Sequence, residues 1–114
     1  MENRNEGLEA LLQLNGEEFH MENGYWVKFE ARETEISRYV PHGIRYSLTL
    51  HDRNNTRVLG YDNAHAVKPR QKRFSGSKST WDHIHRKTSI VPYEFDTAAQ
   101  LLEDFWNDVD EYLK

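Results

Sequence analysis

The stretch YWVKFEAR at residues 25–32 decides the fold, because apolar and polar side chains alternate along it. In an extended chain successive side chains point to opposite faces, so one face collects Tyr25, Val27, Phe29 and Ala31. Asn23-Gly24 precedes this stretch, and both residue types tolerate the positive φ of a tight hairpin turn. The sequence therefore predicts a β-hairpin over residues 17–32 with one buried face.

A second hairpin is predicted around the turn cluster DRNN at residues 52–55. Residues 45–51 alternate in the same way, and residues 56–63 return after the turn, with Gly60 as a candidate bulge position. A short extended segment is expected at residues 91–95. Pro92 cannot donate a hydrogen bond to a ladder, so this segment favours a sheet edge.

The C-terminal residues have the periodicity of an amphipathic helix. Thr97 followed by Gln100 fits a capping box, and the apolar stripe consists of Leu101, Leu102, Phe105, Val109 and Tyr112 or Leu113. Residues 6–14 also carry leucines at helical spacing, but Gly7 weakens that pattern. The N-terminal segment is compatible with either a short helix or an extended lead-in.

Strands that come first in a run, followed by a helix, predict an α+β fold. We expect a small, curled antiparallel sheet of four to five strands packed by the C-terminal helix, with a possible short N-terminal helix, in a single domain over residues 1–114. No apolar run approaches the roughly 20 residues that span a bilayer, and the N-terminus lacks a secretory layout. These features predict a cytoplasmic protein that does not contact a membrane. The absence of Cys excludes disulfides, thiolate nucleophiles and sulfur-ligated zinc.

The charge is distributed unevenly along the chain. The net charge is −4, but residues 53–88 alone carry a net +7, whereas residues 1–52 and 89–114 carry −5 and −6. Residues 66–90 show little apolar periodicity, which predicts a long basic loop. Such a loop can be merely solvated, can pair with the acidic C-terminal helix, or can bind the phosphates of a nucleic acid.

Two short runs combine a carboxylate, imidazoles and cations: DNAH at residues 62–65 and WDHIHRK at residues 81–87. An imidazole can take a proton from a ribose 2′-hydroxyl near neutral pH, and a guanidinium can neutralise the charge that builds on the phosphoryl oxygens. The two runs therefore predict an endoribonuclease-like site that works without metal or cofactor. Its catalytic candidates are Asp62, His65, His83, His85 and Arg86.

In this scheme His83 or His85 acts as general base or acid, His65 is the complementary partner, and Arg86 stabilises the transition state. The basic loop contacts the phosphate backbone, and aromatic side chains stack on splayed bases. The RNA-binding candidates are Tyr61, Lys68, Arg70, Lys72, Arg73 and Trp81.

The same residues support other interpretations. His83 and His85 share one side of an extended segment, so with Asp62 and His65 they can chelate a divalent ion that activates water. This would make the protein a metal-dependent phosphoesterase or a nucleotide-modifying enzyme. A third interpretation is a non-enzymatic module whose basic loop docks on RNA, on the ribosome or on an acidic protein segment. The remaining histidines, His20, His42 and His51, favour structural roles.

Six short motifs occur in a characteristic order: GYWVK at 24–28, YSL at 46–48, GYDNAH at 60–65, DHIHR at 82–86, PYEF at 92–95 and LLEDF at 101–105. Their combination resembles the TumE-type toxins of bacterial and archaeal type II toxin–antitoxin modules, over residues 17–113. The resemblance implies a small α+β toxin that inhibits growth and is held inactive by a cognate antitoxin, commonly a helix-turn-helix protein. By position it points to Tyr61, Asp62, His65, His83, His85 and Arg86.

The antitoxin partner also follows from the charge pattern. A basic cleft in a small domain suits an acidic segment, which would bind the folded form and cover the site. Residues 33–43 and 72–80 are longer than in the shorter members of the family, and these insertions leave the RNA target open. All these expectations require the two histidine-containing runs to meet in one pocket.

Overall fold

A computed structural model of the chain describes residues 6–37, 40, 42–63, 82–86 and 89–114. The described elements are α1 (Leu8–Gln13), β1 (Glu18–His20), β2 (Trp26–Glu33), β3 (Ile44–His51), β4 (Arg57–Asp62), β5 (His83–Arg86), β6 (Ser89–Pro92) and α2 (Ala98–Leu113). In the described part, the strands form one sheet in the order β1 to β6, and each is antiparallel to its neighbours. The predicted α+β fold is confirmed.

The sheet has six strands in its described part, whereas four to five were expected. The difference lies at residues 83–86 and 89–92, which form two strands, β5 and β6, in place of the single short segment predicted at 91–95. His83–Arg86 is composed mostly of polar residues, so it lacks the apolar alternation by which a half-buried strand is recognised.

The first hairpin, β1 with β2, forms where the sequence placed it. Its connection is longer than a two-residue turn, because the Met21 N–H donates to the Tyr25 carbonyl at 2.8 Å and the Gly24 N–H donates to the Met21 carbonyl at 3.1 Å. Gly24 has φ +89°, which a glycine adopts without steric cost. The hairpin prediction is thus confirmed, while the turn spans residues 21–25.

The β3–β4 hairpin contains a bulge that matters for the site. The Asp52 carboxylate accepts the N–H groups of Asn54 and Thr56 at 2.9 and 3.0 Å, which closes the turn. Leu50 then pairs with Leu59 while His51 pairs with Arg57, so Val58 is an extra residue. The bulge therefore lies at Val58 and not at Gly60, whose pairing with Thr49 is regular.

The hydrophobic core lies between the sheet and α2. The Thr97 hydroxyl accepts the Gln100 N–H at 3.1 Å, and the Gln100 side chain accepts the Asp96 N–H at 2.9 Å, so the predicted N-terminal cap is present. Fully buried side chains from both layers meet there: Leu11, Val27, Phe29, Leu48, Leu50, Leu101 and Phe105. Neither described helix is long and apolar enough to cross a membrane.

The opposite side of the sheet is here called the polar face. Tyr61 contacts Phe105 of α2, so its neighbours Gly60 and Asp62 point away from the helix. The strand register extends this face across the sheet. Its described residues include Trp26, Lys28, Glu30, Arg32, Arg45, Ser47, Thr49, His51, Arg57, Gly60, Asp62, His83 and His85.

Candidate active site

The polar face brings together a carboxylate and two imidazoles. His83 is the register partner of Asp62, and His85 is the partner of Gly60, two residues earlier on β4. Residues two apart on a strand share a face, so both rings lie beside Asp62. Part of the predicted convergence is therefore present: Asp62 from the first run meets His83 and His85 from the second.

One carboxylate contacts both rings in this cluster. His83 Nε2 lies 3.0 Å from Asp62 Oδ1, and His85 Nε2 lies 3.2 Å from Asp62 Oδ2. The ring centroids are 4.4 Å apart at 75°, so the imidazoles meet edge to face. With Nε2 donating to Asp62, a neutral ring carries its lone pair on Nδ1.

The two imidazoles differ in exposure. The side chain of His83 is 2% exposed, whereas that of His85 is 19% exposed. Burial lowers the pKa of His85, with the charges of His83 and Arg57 acting in the same direction and Asp62 opposing them. The neutral form of His85 is therefore favoured, and His85 is the more exposed ring of the pair.

Arg57 supplies positive charge on the same side of the sheet. The bulge at Val58 turns Arg57 away from the face of Leu59 and onto the polar face. Its side chain runs over Gly60: a Cβ built at Gly60 would lie 3.4 Å from Arg57 Cδ and 3.6 Å from Nε. Since Gly60 is the register partner of His85, the Arg57 side chain that crosses Gly60 lies near that ring, and its charge helps to lower the pKa of His85.

A second buried carboxyl group, Asp82, lies immediately before β5. Its Oδ2 accepts the Tyr46 hydroxyl at 2.8 Å. Burial raises the pKa of Asp82, although the Tyr46 hydrogen bond and the nearby His42 and His83 oppose that shift. The pKa of Tyr46 is raised well above its usual value, chiefly by burial and also by Asp82, so the phenol stays a hydrogen-bond donor.

Two of the predicted site residues lie on the helix side of the sheet. Tyr61 is 3% exposed, and its hydroxyl donates to Asp108 Oδ2 at 2.6 Å. Arg86 Nη2 lies 2.8 Å from the same oxygen. Both residues contact α2, so the structure does not bring them to the surface that carries His83 and His85.

Six of the predicted site residues lie outside the described residues. They are His65, Lys68, Arg70, Lys72, Arg73 and Trp81. Their roles stay predictions.

The three histidines for which structural roles were favoured lie apart from the cluster. Rings of His20 and His51 stack on Trp26 at centroid distances of 5.5 and 4.1 Å, and His42 stacks on Phe95 at 4.1 Å.

The sequence interpretation did not include Arg57 among the functional candidates. Arg57 is the first residue of β4, next to the turn. Its side chain lies on the same face of the sheet as Asp62 only because Val58 is an extra residue in the strand. A signal was present in the sequence: Gly60 in the middle of a strand marks either a bulge or a close approach. In the structure the side chain of Arg57 crosses the strand at Gly60, at the distance of an ordinary van der Waals contact from a Cβ built there.

A comparison with known proteins agrees with this arrangement of motifs. The family model described as Toxin TumE matches residues 14–113, which is most of the chain. No curated protein and no solved structure shows significant similarity to the chain. The chain belongs to the TumE toxin family, and hence to the toxins of toxin–antitoxin systems, which have a cognate antitoxin as their partner.

Proposed function

We propose that this toxin cleaves RNA by metal-independent general acid–base catalysis on the polar face of its sheet. The observation that carries the proposal is the contact of one carboxylate, Asp62, with both His83 and His85. A carboxylate that accepts from an imidazole fixes its tautomer and orientation, which is what a catalytic base requires.

In the proposed reaction, His85 Nδ1 takes the proton of a ribose 2′-hydroxyl. The 2′-oxygen then attacks the adjacent phosphorus, and the bond to the 5′-oxygen breaks as that oxygen takes up a proton. The products are a 2′,3′-cyclic phosphate and a 5′-hydroxyl. His65 is the proposed proton donor to the leaving oxygen. His83, which is buried, is a positioning residue that holds Asp62.

Arg57 is the proposed cation for the charge on the phosphoryl oxygens. The sequence assigned that role to Arg86, but Arg86 pairs with Asp108 on the helix side. No carboxylate among the described residues forms an ion pair with Arg57. A guanidinium at the site of developing charge lowers the barrier because it is already oriented before reaction.

The test is cleavage of a panel of cellular RNAs by the purified toxin in EDTA. We expect His85→Ala to lower the rate by a factor on the order of 10²–10⁴, the usual contribution of a general base. His20→Ala is the matched control, because His20 is an exposed histidine at the first strand. Full activity of His85→Ala, or no cleavage by the wild type on any RNA, would contradict the proposal.

A second candidate is a metal-dependent phosphoesterase, and one observation favours it. One ligand atom from each of Asp62, His83 and His85 lies within 4.8 Å of the others. The imidazole-to-carboxylate distances of 3.0 and 3.2 Å match the separations of neighbouring ligands around one ion with bonds of roughly 2.0–2.2 Å. Two imidazoles and a carboxylate leave coordination positions open for water and a phosphate oxygen.

The two candidates predict different products and different substrate requirements. Activated water needs no 2′-hydroxyl, so a metal-dependent enzyme would still cut a substrate with one deoxynucleotide at the scissile position. The acid–base reaction would stop on that substrate. Cleavage that is abolished by EDTA, is restored by Zn²⁺ or Mn²⁺, and tolerates the deoxynucleotide would replace the first candidate with the second.

A further inference from the structure

Next to the imidazole cluster, the polar face contains a cleft that the proposed reaction does not use. The cleft has a volume of about 450 Å³ and is lined by Asn15, Glu30, Ala31, Arg32, Arg45, Tyr46, Ser47 and Asn63. This is the size range of small-ligand sites. Ser47 is the register partner of Asp62, so the cleft begins at the strand position beside the catalytic carboxylate.

Two arginines lie side by side among the lining residues of this cleft. Arg32 on β2 and Arg45 on β3 are register partners, and like charges at directly opposed positions destabilise a sheet. No carboxylate of the described residues forms an ion pair with Arg32, which is exposed. Glu30, the acidic residue that lines the cleft, forms an ion pair with Lys28, with Nζ 3.6 Å from Oε2. An anion bound at Arg32 would offset the repulsion that Arg32 feels from Arg45.

Asn63 holds one of these arginines in place. Arg45 Nη1 donates to the Asn63 carbonyl at 3.1 Å. The side chain of Asn63 is itself fixed, because its Oδ1 accepts the Tyr46 N–H at 3.0 Å and its Nδ2 donates to the Ile44 carbonyl at 2.7 Å. Asn63 is 2% exposed, so this support is buried. An arginine oriented in advance loses less side-chain entropy when it binds an anion.

On the other wall, Asn15 completes the edge of the sheet where β1 does not reach. Its Oδ1 accepts the Ala31 N–H at 2.9 Å. The backbone N–H of Ala31 at the mouth of the cleft is thus already paired, and Arg32 is the cation of the cleft with which no carboxylate of the described residues pairs. Guanidinium groups bind phosphate through paired, charge-assisted hydrogen bonds.

We propose that the cleft between Arg32 and Arg45 is a subsite for a phosphate of the RNA chain flanking the scissile bond. The inference rests on the proposed function for the identity of the ligand. Arg45 and Ser47 are two residues apart, a distance of roughly 7 Å along a strand, and Ser47 is the register partner of Asp62. Arg32 lies one strand beyond Arg45, so the cleft holds a phosphate outside the cleaved linkage, at which Asp62, His83 and His85 act.

The experiment measures the affinity of a fluorescein-labelled oligouridine by anisotropy in EDTA, using the His85→Ala background so that the RNA is not consumed. Adding Arg32→Gln should weaken binding roughly tenfold, the cost of one charge-assisted hydrogen bond. The slope of log K against log salt should become shallower by about 0.7, because one phosphate contact is lost. With His85 restored, Arg32→Gln should raise KM and leave kcat unchanged.

Arg53→Gln is the matched control, since it removes the same charge at the turn that follows the opposite end of β3. Arg32 is the first choice because it is exposed, whereas Arg45 supports the backbone at Asn63. Equal affinity and an equal salt slope for Arg32→Gln and Arg53→Gln would overturn the subsite. Loss of antitoxin binding with RNA affinity intact would assign the cleft to the antitoxin and also overturn it.

The outcomes separate this inference from the proposed function. RNA binding that depends on Arg32, in a toxin that cuts no RNA, would keep the phosphate subsite and reject the reaction. RNA cleavage that depends on His85 but not on Arg32 would keep the reaction and reject the subsite.

Discussion

The two faces of the sheet are built from alternate residues of the same strands, yet each holds a buried carboxyl group in a different way. On the polar face, Asp62 meets two imidazoles. On the other side, Asp82 meets the phenol of Tyr46. An imidazole can give and take protons near neutral pH, whereas a phenol whose pKa is raised stays a donor. The proposed proton transfer rests on the first arrangement.

Neighbouring residues on the same strand contribute to different faces, one to the hydrophobic core and the next to the imidazole cluster. On β4, Tyr61 packs on α2 while Asp62, its neighbour, belongs to the imidazole cluster. On β5, Ile84 stands between His83 and His85 in the sequence, but its side chain points to the other face and belongs to the hydrophobic core. Substitutions one residue apart should therefore have different consequences, and this can be measured.

The largest effect is expected from the adjacent pair Asp62 and Tyr61. Asp62→Asn removes the charge that holds both imidazoles, so we expect RNA cleavage to fall by a factor on the order of 10²–10⁴. Tyr61→Phe loses the hydrogen bond to Asp108 and should lower the free energy of unfolding by about 1 kcal/mol with cleavage unchanged. The measurements are RNA cleavage rates and urea unfolding followed by circular dichroism. Equal cleavage rates for the two variants would remove the distinction between the faces.

A core substitution on the helix side should give the largest loss of stability. Phe105 is fully buried and packs edge to face on Phe29 and Tyr61, at centroid distances of 5.7 and 5.6 Å. Phe105→Ala should lower the free energy of unfolding by about 3–5 kcal/mol through lost burial and a cavity. At a temperature where the variant is folded, kcat should match that of the wild type. A loss below 1 kcal/mol in urea unfolding would show that α2 does not pack on the sheet as described.

The arginine assignment can be tested by a pair of single substitutions. Arg57→Gln should slow RNA cleavage by about 10²-fold if its guanidinium stabilises the transition state. Arg86→Gln should leave cleavage unchanged and lower the free energy of unfolding by at most about 1 kcal/mol, because the Arg86–Asp108 pair is partly exposed. The reverse pattern of cleavage rates would return the catalytic role to Arg86, as the sequence interpretation had it.

The elements that the sequence predicted well are those whose apolar residues repeat regularly. Residues 25–32 and α2 have a strict period, and the hydrophobic effect alone decides which face is buried. In contrast, β5 was not predicted, because three of its four residues, His83, His85 and Arg86, are polar. Its position depends on pairing with β4, a contact between residues distant in the chain.

The candidate site was predicted in part for the same physical reason. Residue chemistry singled out Asp62, His83 and His85, and the register of β4 with β5 joins them. The sequence alone did not indicate to which face of the sheet the side chains of Arg86 and Arg57 point. The parity of β5 turns Arg86 toward α2, and one bulge residue turns Arg57 toward the imidazoles. Neither fact is encoded in a local pattern, since each depends on where the strands pair.

The smallest expected effect concerns Asp82 and the pH dependence of stability. Because burial raises the pKa of Asp82 in the folded protein, folding favours the protonated form. Its contribution to stability is then fully present below the unfolded pKa of about 3.9 and is lost as the pH rises through the folded value. Asp82→Asn removes this loss and keeps an oxygen that accepts from Tyr46. Urea unfolding at pH 4, 5.5 and 7 should show a flatter pH dependence and higher stability at pH 7 than in the wild type. Lower stability of Asp82→Asn at pH 7 would mean that the ionised carboxylate stabilises the fold, and Asp82 would then resemble Asp62 more than the comparison of the two faces allows.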